Sequence, residues 1–356
     1  MTDLRRRLVE QIRRDGAPLT PQLAAAFEAV PREAFVPEGF QRRDGRWATP
    51  GSAGFLEAVY RDDVLVTKLE NKVPVSSSSQ PSLMAIMLNA LQLTPGDRVL
   101  EIGAGTGYNA ALLTHLGAEV TTIDSQPDVA DRALAALTGA GLTSPRVLVA
   151  DGYHALPGEH FDKMIVTVGV AGLSPHWQAE GPIVAPVEHA GTHPVLAVHG
   201  DAATVLCPSG FMSASGPLTA RHPGSHPHPL NSGVITELEE ASPPRWKHPL
   251  DSLTYRDLWY AAGVWSRRAT HAALPGRDQS CLFLVDKSGT GGAAILPDGT
   301  VLAGGSEAAD HAAEADDIIS RWEAAAHPPM QAWKIGLELT ADPESPIRVP
   351  AHWSLG

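Results

Sequence analysis

The stretch R-V-L-E-I-G-A-G-T-G-Y-N-A-A (98–111) runs from an apolar strand into a helix, with glycines at 103, 105 and 107 between them. Glycine lets backbone approach a ligand closely, and the first N–H groups of the helix are left free to meet it. A strand–glycine–helix passage of this kind belongs to nucleotide-type cofactor sites. The dinucleotide fingerprint G-x-G-x-x-G is close enough to compete for it.

Outward from this loop the chain keeps a steady rhythm. Apolar strands are expected at 98–102, 119–123, 145–149, 163–168 and 182–187, with helices at 107–116 and 126–140. Strands alternating with helices predict an α/β fold, a parallel sheet with helices on both faces. Two closer runs, 195–198 and 203–206, predict an antiparallel edge pair. Upstream, 3–15 and 20–30 carry helical apolar spacing, with Thr20 as cap and Pro21 in the first turn. The arginines at 5–7, 13 and 14 alternate with Leu4, Leu8, Val9 and Ile12, which is the solvated face of an amphipathic helix.

The rhythm stops near residue 221. R-H-P-G-S-H-P-H-P (221–229) reads as a linker, placed at 221–233. Its His222, His226 and His228, interleaved with prolines, lack the companions of a metal site. Residues 1–220 thus form one domain, and 234–356 a smaller α+β domain. The latter is expected to hold helices near 251–272 and 306–326, strands at 281–285, 293–296, 300–303 and 333–339, and a turn at P-D-G-T (297–300).

Composition removes several function classes. Forty acidic against 27 basic residues give a net charge of -13, which repels a phosphate backbone, so no nucleic-acid partner is expected. Cys207 and Cys281 are too few and too far apart for a disulfide framework or a metal site. No apolar h-region opens the chain, and no run approaches the roughly 20 residues of a membrane span. A cytoplasmic monomer without a membrane partner is the expectation.

Acidic residues around the loop narrow the ligand. Asp124, ending the second strand, is placed to accept from ribose hydroxyls. Asp151, ending the third, suits an adenine amine, and Glu101 a methionine ammonium or the loop backbone. This set resembles the class I S-adenosylmethionine-dependent methyltransferases. The resemblance implies a Rossmann-like seven-stranded sheet of order 3-2-1-4-5-7-6. It also implies cofactor contacts from Glu101, Gly103, Ala104, Gly105, Thr106, Gly107, Asn109, Asp124, Ser125, Asp151 and Gly152. The reaction needs little but alignment, because the sulfonium is already activated.

Further segments occur in a specific order: V-P-R-E-A-F-V-P (30–37), Y-R-D-D (60–63), S-S-Q-P (78–81), then the loop, D-G-Y (151–153), F-D-K-M-I-V-T (161–167) and G-P-I-V-A-P-V (181–187). Over about residues 4–220 this resembles the protein-L-isoaspartate O-methyltransferase family. The resemblance implies that Ser79 is the catalytic serine, with Ser78 and Ser77 as neighbours able to share its contact. Ser79 also suits an N-cap, with Pro81 and the series Leu83, Ile86, Met87, Ala90 and Leu91 behind it, and such a helix start is a natural carboxylate seat.

Three features depart from the family pattern, one of them T-V-G-V-A-G (167–172) in place of the small Ala-rich segment usual after the fourth strand. K-L-E-N-K-V-P-V-S-S-S-S-Q-P (68–81) lacks the usual glycines, and the chain continues more than a hundred residues further. In this it resembles homologues that accompany lanthipeptides, lasso peptides and graspetides. Those methylate an aspartate side chain in a cyclised precursor peptide, and the ester closes to a succinimide (aspartimide). The expectation is therefore a peptide aspartate O-methyltransferase. General repair of L-isoaspartyl proteins is the alternative, and a small-molecule O-methyltransferase or a catalytically dead SAM-sensing scaffold is more remote.

Overall fold

The computed structural model describes residues 2–42, 44–220, 238–274, 276, 280–287 and 289–356. The expected linker and its three histidines lie outside the described residues.

The N-terminal part is built from α1 (Thr2–Arg14), α2 (Pro21–Ala29), β1 (Phe40–Gln41), β2 (Trp47–Ala48), α3 (Phe55–Val59), β3 (Leu65–Glu70), β4 (Val73–Ser78) and α4 (Pro81–Ala90). Thr20 caps α2, its Oγ1 accepting from Leu23 N at 3.2 Å. The four strands form a small sheet of order β2-β1-β3-β4.

The main sheet follows with β5 (Arg98–Ile102), α5 (Tyr108–His115), β6 (Glu119–Asp124), α6 (Pro127–Gly139), β7 (Arg146–Val149), β8 (Lys163–Val166), β9 (Ile183–Pro186), β10 (Val195–His199) and β11 (Ala202–Cys207). The C-terminal residues add β12 (Glu239–Ser242), α7 (Ser252–Trp265), β13 (Ala269–Ala272), β14 (Cys281–Val285), β15 (Gly292–Ile295), β16 (Val301–Gly304), α8 (Ala308–Ala324), β17 (Trp333–Leu339) and β18 (Arg348–Leu355). Strands β12 to β16 make an antiparallel sheet of order β12-β16-β15-β14-β13.

The central strands alternate between two cores, as the pleat requires. Leu100, Ile102, Met164, Val166, Ile183 and Ala185 face one cluster, shared with Leu258, Trp259, Leu282, Ile295 and Trp322 of the C-terminal part. Val99, Val120, Ile165 and Val184 face the other, with Leu8, Phe27, Met87 and Leu112. Helices therefore cover both faces, and the strands read as continuous apolar runs.

The expected strand order is corrected. The main sheet has nine strands, β18-β17-β11-β10-β9-β8-β5-β6-β7. Counted along the methyltransferase part this is 3-2-1-4-5-6-7, not 3-2-1-4-5-7-6. The reason lies in residues 187–194. Val187 N donates to Pro194 O at 3.1 Å, and His189 and Thr192 bond reciprocally, so β9 and β10 are a hairpin with no gap for another strand. The outer edge of β11 is then taken by β17, through Ala202↔Gly336 and Thr204↔Lys334. Strand 333–339, read as part of the C-terminal α+β unit, thus extends the main sheet, and β18 follows it.

Candidate active site

The glycine loop is tied under the end of β6. The N–H groups of Gly103 and Ala104 both donate to Ile123 O, at 2.8 and 3.0 Å. Gly103 has φ +101°, and a Cβ there would come within 2.6 Å of Thr167 Oγ1, so no other residue fits. Thr167, just past β8, donates from that oxygen to Gly103 O at 2.6 Å and fixes the loop from behind.

Asp124 closes β6 and holds the loop from the other side. Its Oδ2 accepts from Gly105 N at 3.2 Å and its Oδ1 from Gln126 N at 3.0 Å. Burial raises its pKa, partly offset by these two backbone donors. Asp151 is exposed, and its Oδ1 accepts from Tyr153 N at 3.0 Å. Ser125 Oγ lies 3.4 Å from Ser215 Oγ. Gly152 O accepts from Trp177 Nε1 at 2.7 Å.

Glu101 is completely buried, with Oε1 accepting from Asn109 Nδ2 at 2.8 Å. Burial pushes its pKa up to about 7, opposed by the neighbouring Thr122 hydroxyl and the Asn109 amide. Glu101 Oε2, Asn109 Oδ1, Tyr108 OH and Ser78 Oγ are all buried without a hydrogen-bond partner. All four residues line one cleft of about 1190 Å³. Orphaned polar atoms are costly unless a ligand completes them. Tyr108 OH turns toward Arg32 and Tyr60; the two acceptors and the serine hydroxyl suit a ligand bearing an ammonium and hydroxyls, and S-adenosylmethionine fits that description.

The serine run forms the opposite wall. β3 and β4 make a flap in which Ser78 pairs with Leu65, Ser77 with Val66 and Ser76 with Lys68. Alternation buries Ser76 and Ser78 and leaves Ser77 and Ser79 half-buried. A Cβ on Gly105 would sit 3.1 Å from Ser77 O, so the flap lies directly over the glycine loop. Ser79 O accepts from Arg32 Nη2 at 2.9 Å.

The expected capping role of Ser79 is corrected. β4 carries the chain extended through Ser78 and Pro81 opens α4, so the cap position falls on Gln80, which makes no side-chain cap bond. Asp62 does the capping from the Y-R-D-D segment: its Oδ1 accepts from Ser82 N at 2.7 Å and its Oδ2 from Gln80 Nε2 at 2.8 Å. The carboxylate seat at this helix start is thereby already filled by the protein.

Of the expected residues, Ser77, Ser78, Ser79, Glu101, Gly103, Ala104, Gly105, Thr106, Asn109, Asp124, Ser125, Asp151 and Gly152 line the one cleft. Gly107 does not; it turns toward Ala133 and Leu137 of α6. Cys207 at the end of β11 and residues 208–215 after it also line the cleft and were not foreseen. Their signal was present, because P-S-G-F-M-S-A-S-G (208–216) has loop composition at a strand end. Leu253, in the first turn of α7, joins them from the C-terminal part.

A family model described as protein-L-isoaspartate(D-aspartate) O-methyltransferase matches residues 3–203, more than half of the chain. A protein-L-isoaspartate O-methyltransferase of Ignicoccus hospitalis is 32% identical over 204 residues, covering 55% of this chain and 87% of its own. One of Rhodopseudomonas palustris is 38% identical over 150 residues, covering 42% of this chain and 53% of its own. The chain thus spans about half the length of the latter relative. A solved structure titled protein-L-isoaspartate O-methyltransferase aligns over 99% of both chains, with a TM-score of 0.54 and 22% identity. That likeness concerns the fold, and it extends through the residues beyond 220.

Proposed function

We infer that this chain, which belongs to the protein-L-isoaspartate(D-aspartate) O-methyltransferase family, uses S-adenosylmethionine to esterify the side-chain carboxylate of L-isoaspartyl residues in proteins. The observation that carries the reading is the meeting of the serine flap with Glu101, Asp124 and Asp151 around one cleft inside the matched residues.

When bound, the cofactor supplies an activated methyl group. The remaining work falls to residues of this chain. Glu101 and Asn109 offer acceptors to the amino-acid end, Asp124 to ribose hydroxyls and Asp151 to the adenine amine. Hydroxyls of Ser77, Ser78 and Ser79 hold the substrate carboxylate and aim one oxygen. No general base is required, because that carboxylate is ionised near neutral pH. With Asp62 occupying the start of α4, the hydroxyls rather than the helix dipole supply the binding contacts. No helix among the described residues is long and apolar enough to cross a membrane.

The serine run, in a stretch (68–81) without the glycines that the family resemblance implies upstream of it, favours a second reading, methylation of an aspartate in a cyclised ribosomal peptide. The family match and the relatives named protein-L-isoaspartate O-methyltransferase weigh toward isoaspartyl repair instead. Incubation with S-adenosylmethionine separates the two. A base-labile methyl ester on an unstructured isoaspartyl peptide, absent from its L-aspartyl twin, is expected. Inertness toward that peptide, with +14 mass units on a cyclised precursor followed by loss of methanol to a net -18 relative to the unmodified precursor, would overturn repair in favour of tailoring.

A further inference from the structure

The flap is held to the methyltransferase body at two places. At its base, Arg32 grips Ser79 O. Along its side stands Lys68, on β3 opposite Ser76, with register irregularities on both sides of it. The Lys68 ammonium donates to Gln126 Oε1 at 2.7 Å and to Asp128 Oδ1 at 2.9 Å, and lies 3.1 Å from Glu70 Oε1. Gln126 in turn donates from Nε2 to Val75 O at 3.4 Å, and from its backbone N–H to Asp124 Oδ1 at 3.0 Å.

Lys68 therefore links three things: the strand that carries the serines, the first turn of α6, and the carboxylate that ends β6. The flap tip turns on Asn71 and Lys72, both with positive φ, the geometry of a tight two-residue hairpin that joins β3 to β4. Its inner surface, Val66 and Val73 to Ser78, is cleft wall, as is Gln126. An ordinary surface ion pair contributes little. Asp128 and Glu70 are more than half exposed, so the case for Lys68 rests on its position: one ammonium, 19% exposed, is shared among three acceptors that belong to the flap and to the start of α6.

We propose that Lys68 is a positioning residue that latches the serine flap to the Gln126–Asp124 end of the cleft, coupling flap closure to retention of the cofactor. The inference rests on the reading that this cleft takes S-adenosylmethionine. Holding Gln126 in place keeps Asp124 aimed and the serine strand down at once, so loss of the latch loosens both walls together. Asp128 contributes through its Oδ1, while its Oδ2 is engaged by Arg132 at 2.8 Å.

The test is calorimetric binding of S-adenosylhomocysteine to the full chain and to the Lys68→Met, Lys68→Arg and Asp128→Asn variants, beside the melting temperature of each without ligand. Lys68→Met is expected to bind about three- to tenfold more weakly and release the ligand faster, with little change in the ligand-free melt. Lys68→Arg should recover part of the affinity, and Asp128→Asn should fall between. Lys68→Met binding within twofold of the parent overturns the latch. If Lys68→Met does not fold, Asp128→Asn decides, and parental affinity there overturns it equally. Failure of the parent itself to bind S-adenosylhomocysteine would instead strike the cofactor reading, so the two failures are distinct.

Discussion

Arg32 holds Ser79 by its backbone: the guanidinium Nη2 donates to Ser79 O and to Asp63 O, each at 2.9 Å, while Nη1 donates to Val59 O at 2.9 Å and Arg61 O at 3.0 Å. The cation is fully buried and its contacts are carbonyls, so one planar fork gathers the 59–63 segment and the serine strand. A lysine ammonium has three donors at one point and cannot serve four carbonyls from two nitrogens. Arg32→Lys is therefore expected to cost about 2–4 kcal/mol in urea unfolding, at roughly 1–3 kcal/mol for each carbonyl left unpaired. It should also lower turnover by displacing Ser79. A loss below about 1 kcal/mol would show that the fork is replaceable.

Asp62 is predicted to matter for a related reason. It caps α4 from outside the helix and orients Gln80 beside the serines. Asp62→Ala should cost about 1–2 kcal/mol, the range of a lost cap, and slow turnover. Asp62→Asn should keep most of the stability, because an amide oxygen still accepts from Ser82 N. Equal melts for parent and Asp62→Ala would remove the capping assignment.

How far the sequence carried these conclusions depends on the range of the forces involved. Strand 98–102 and the loop after it are local: apolar run, glycine conformations and helix start all lie within a few residues, and β5 and α5 form there. Strands 281–285 and 333–339 were legible for the same reason. The partner of 333–339 was not, because pairing with β11 is settled by which sheet edge stands free, more than a hundred residues away. The same holds for the cap on α4. S-S-Q-P contains a plausible cap of its own, and only the tertiary placement of Asp62 overrides it. At the site, the chemistry-bearing types were readable, whereas the loop at 208–215 carries no distinctive side chain and enters through its position.

Glu101 gives the chain a pH signature. Its ordinary value is near 4.5, and burial raises it to about 7 in the folded chain. A group raised on folding contributes stability fully present below its unfolded value and lost as pH rises through the folded one. The ligand-free chain should therefore weaken between about pH 4.5 and 7, by roughly 3 kcal/mol from Glu101 if its shift is fully expressed. Glu188, raised by burial to about 7, adds to the same window. Glu101→Gln isolates the first share: its melting temperature should fall less steeply with pH, while its affinity for S-adenosylhomocysteine drops, because an ammonium no longer meets a carboxylate. An unchanged slope would place the proton elsewhere.

The serines are separable by what each hydroxyl does without a ligand. Ser78 Oγ is buried and unpartnered, so in the ligand-free chain it carries a desolvation cost with no hydrogen bond against it. Ser78→Ala is expected to leave the ligand-free stability unchanged or raise it by up to about 1 kcal/mol, while slowing methyl transfer. That combination marks a group kept for function rather than folding. Ser79→Ala should slow transfer as well, up to roughly a hundredfold if the hydroxyl holds the substrate carboxylate at about 1–3 kcal/mol. Its fold should survive, because the tie to Arg32 is made by the backbone carbonyl, which alanine retains. Steady-state rates on an isoaspartyl peptide, read beside unfolding curves, check both. A Ser78→Ala chain that is less stable yet fully active would mean the hydroxyl serves packing alone, and the catalytic contact would then rest with Ser77 and Ser79.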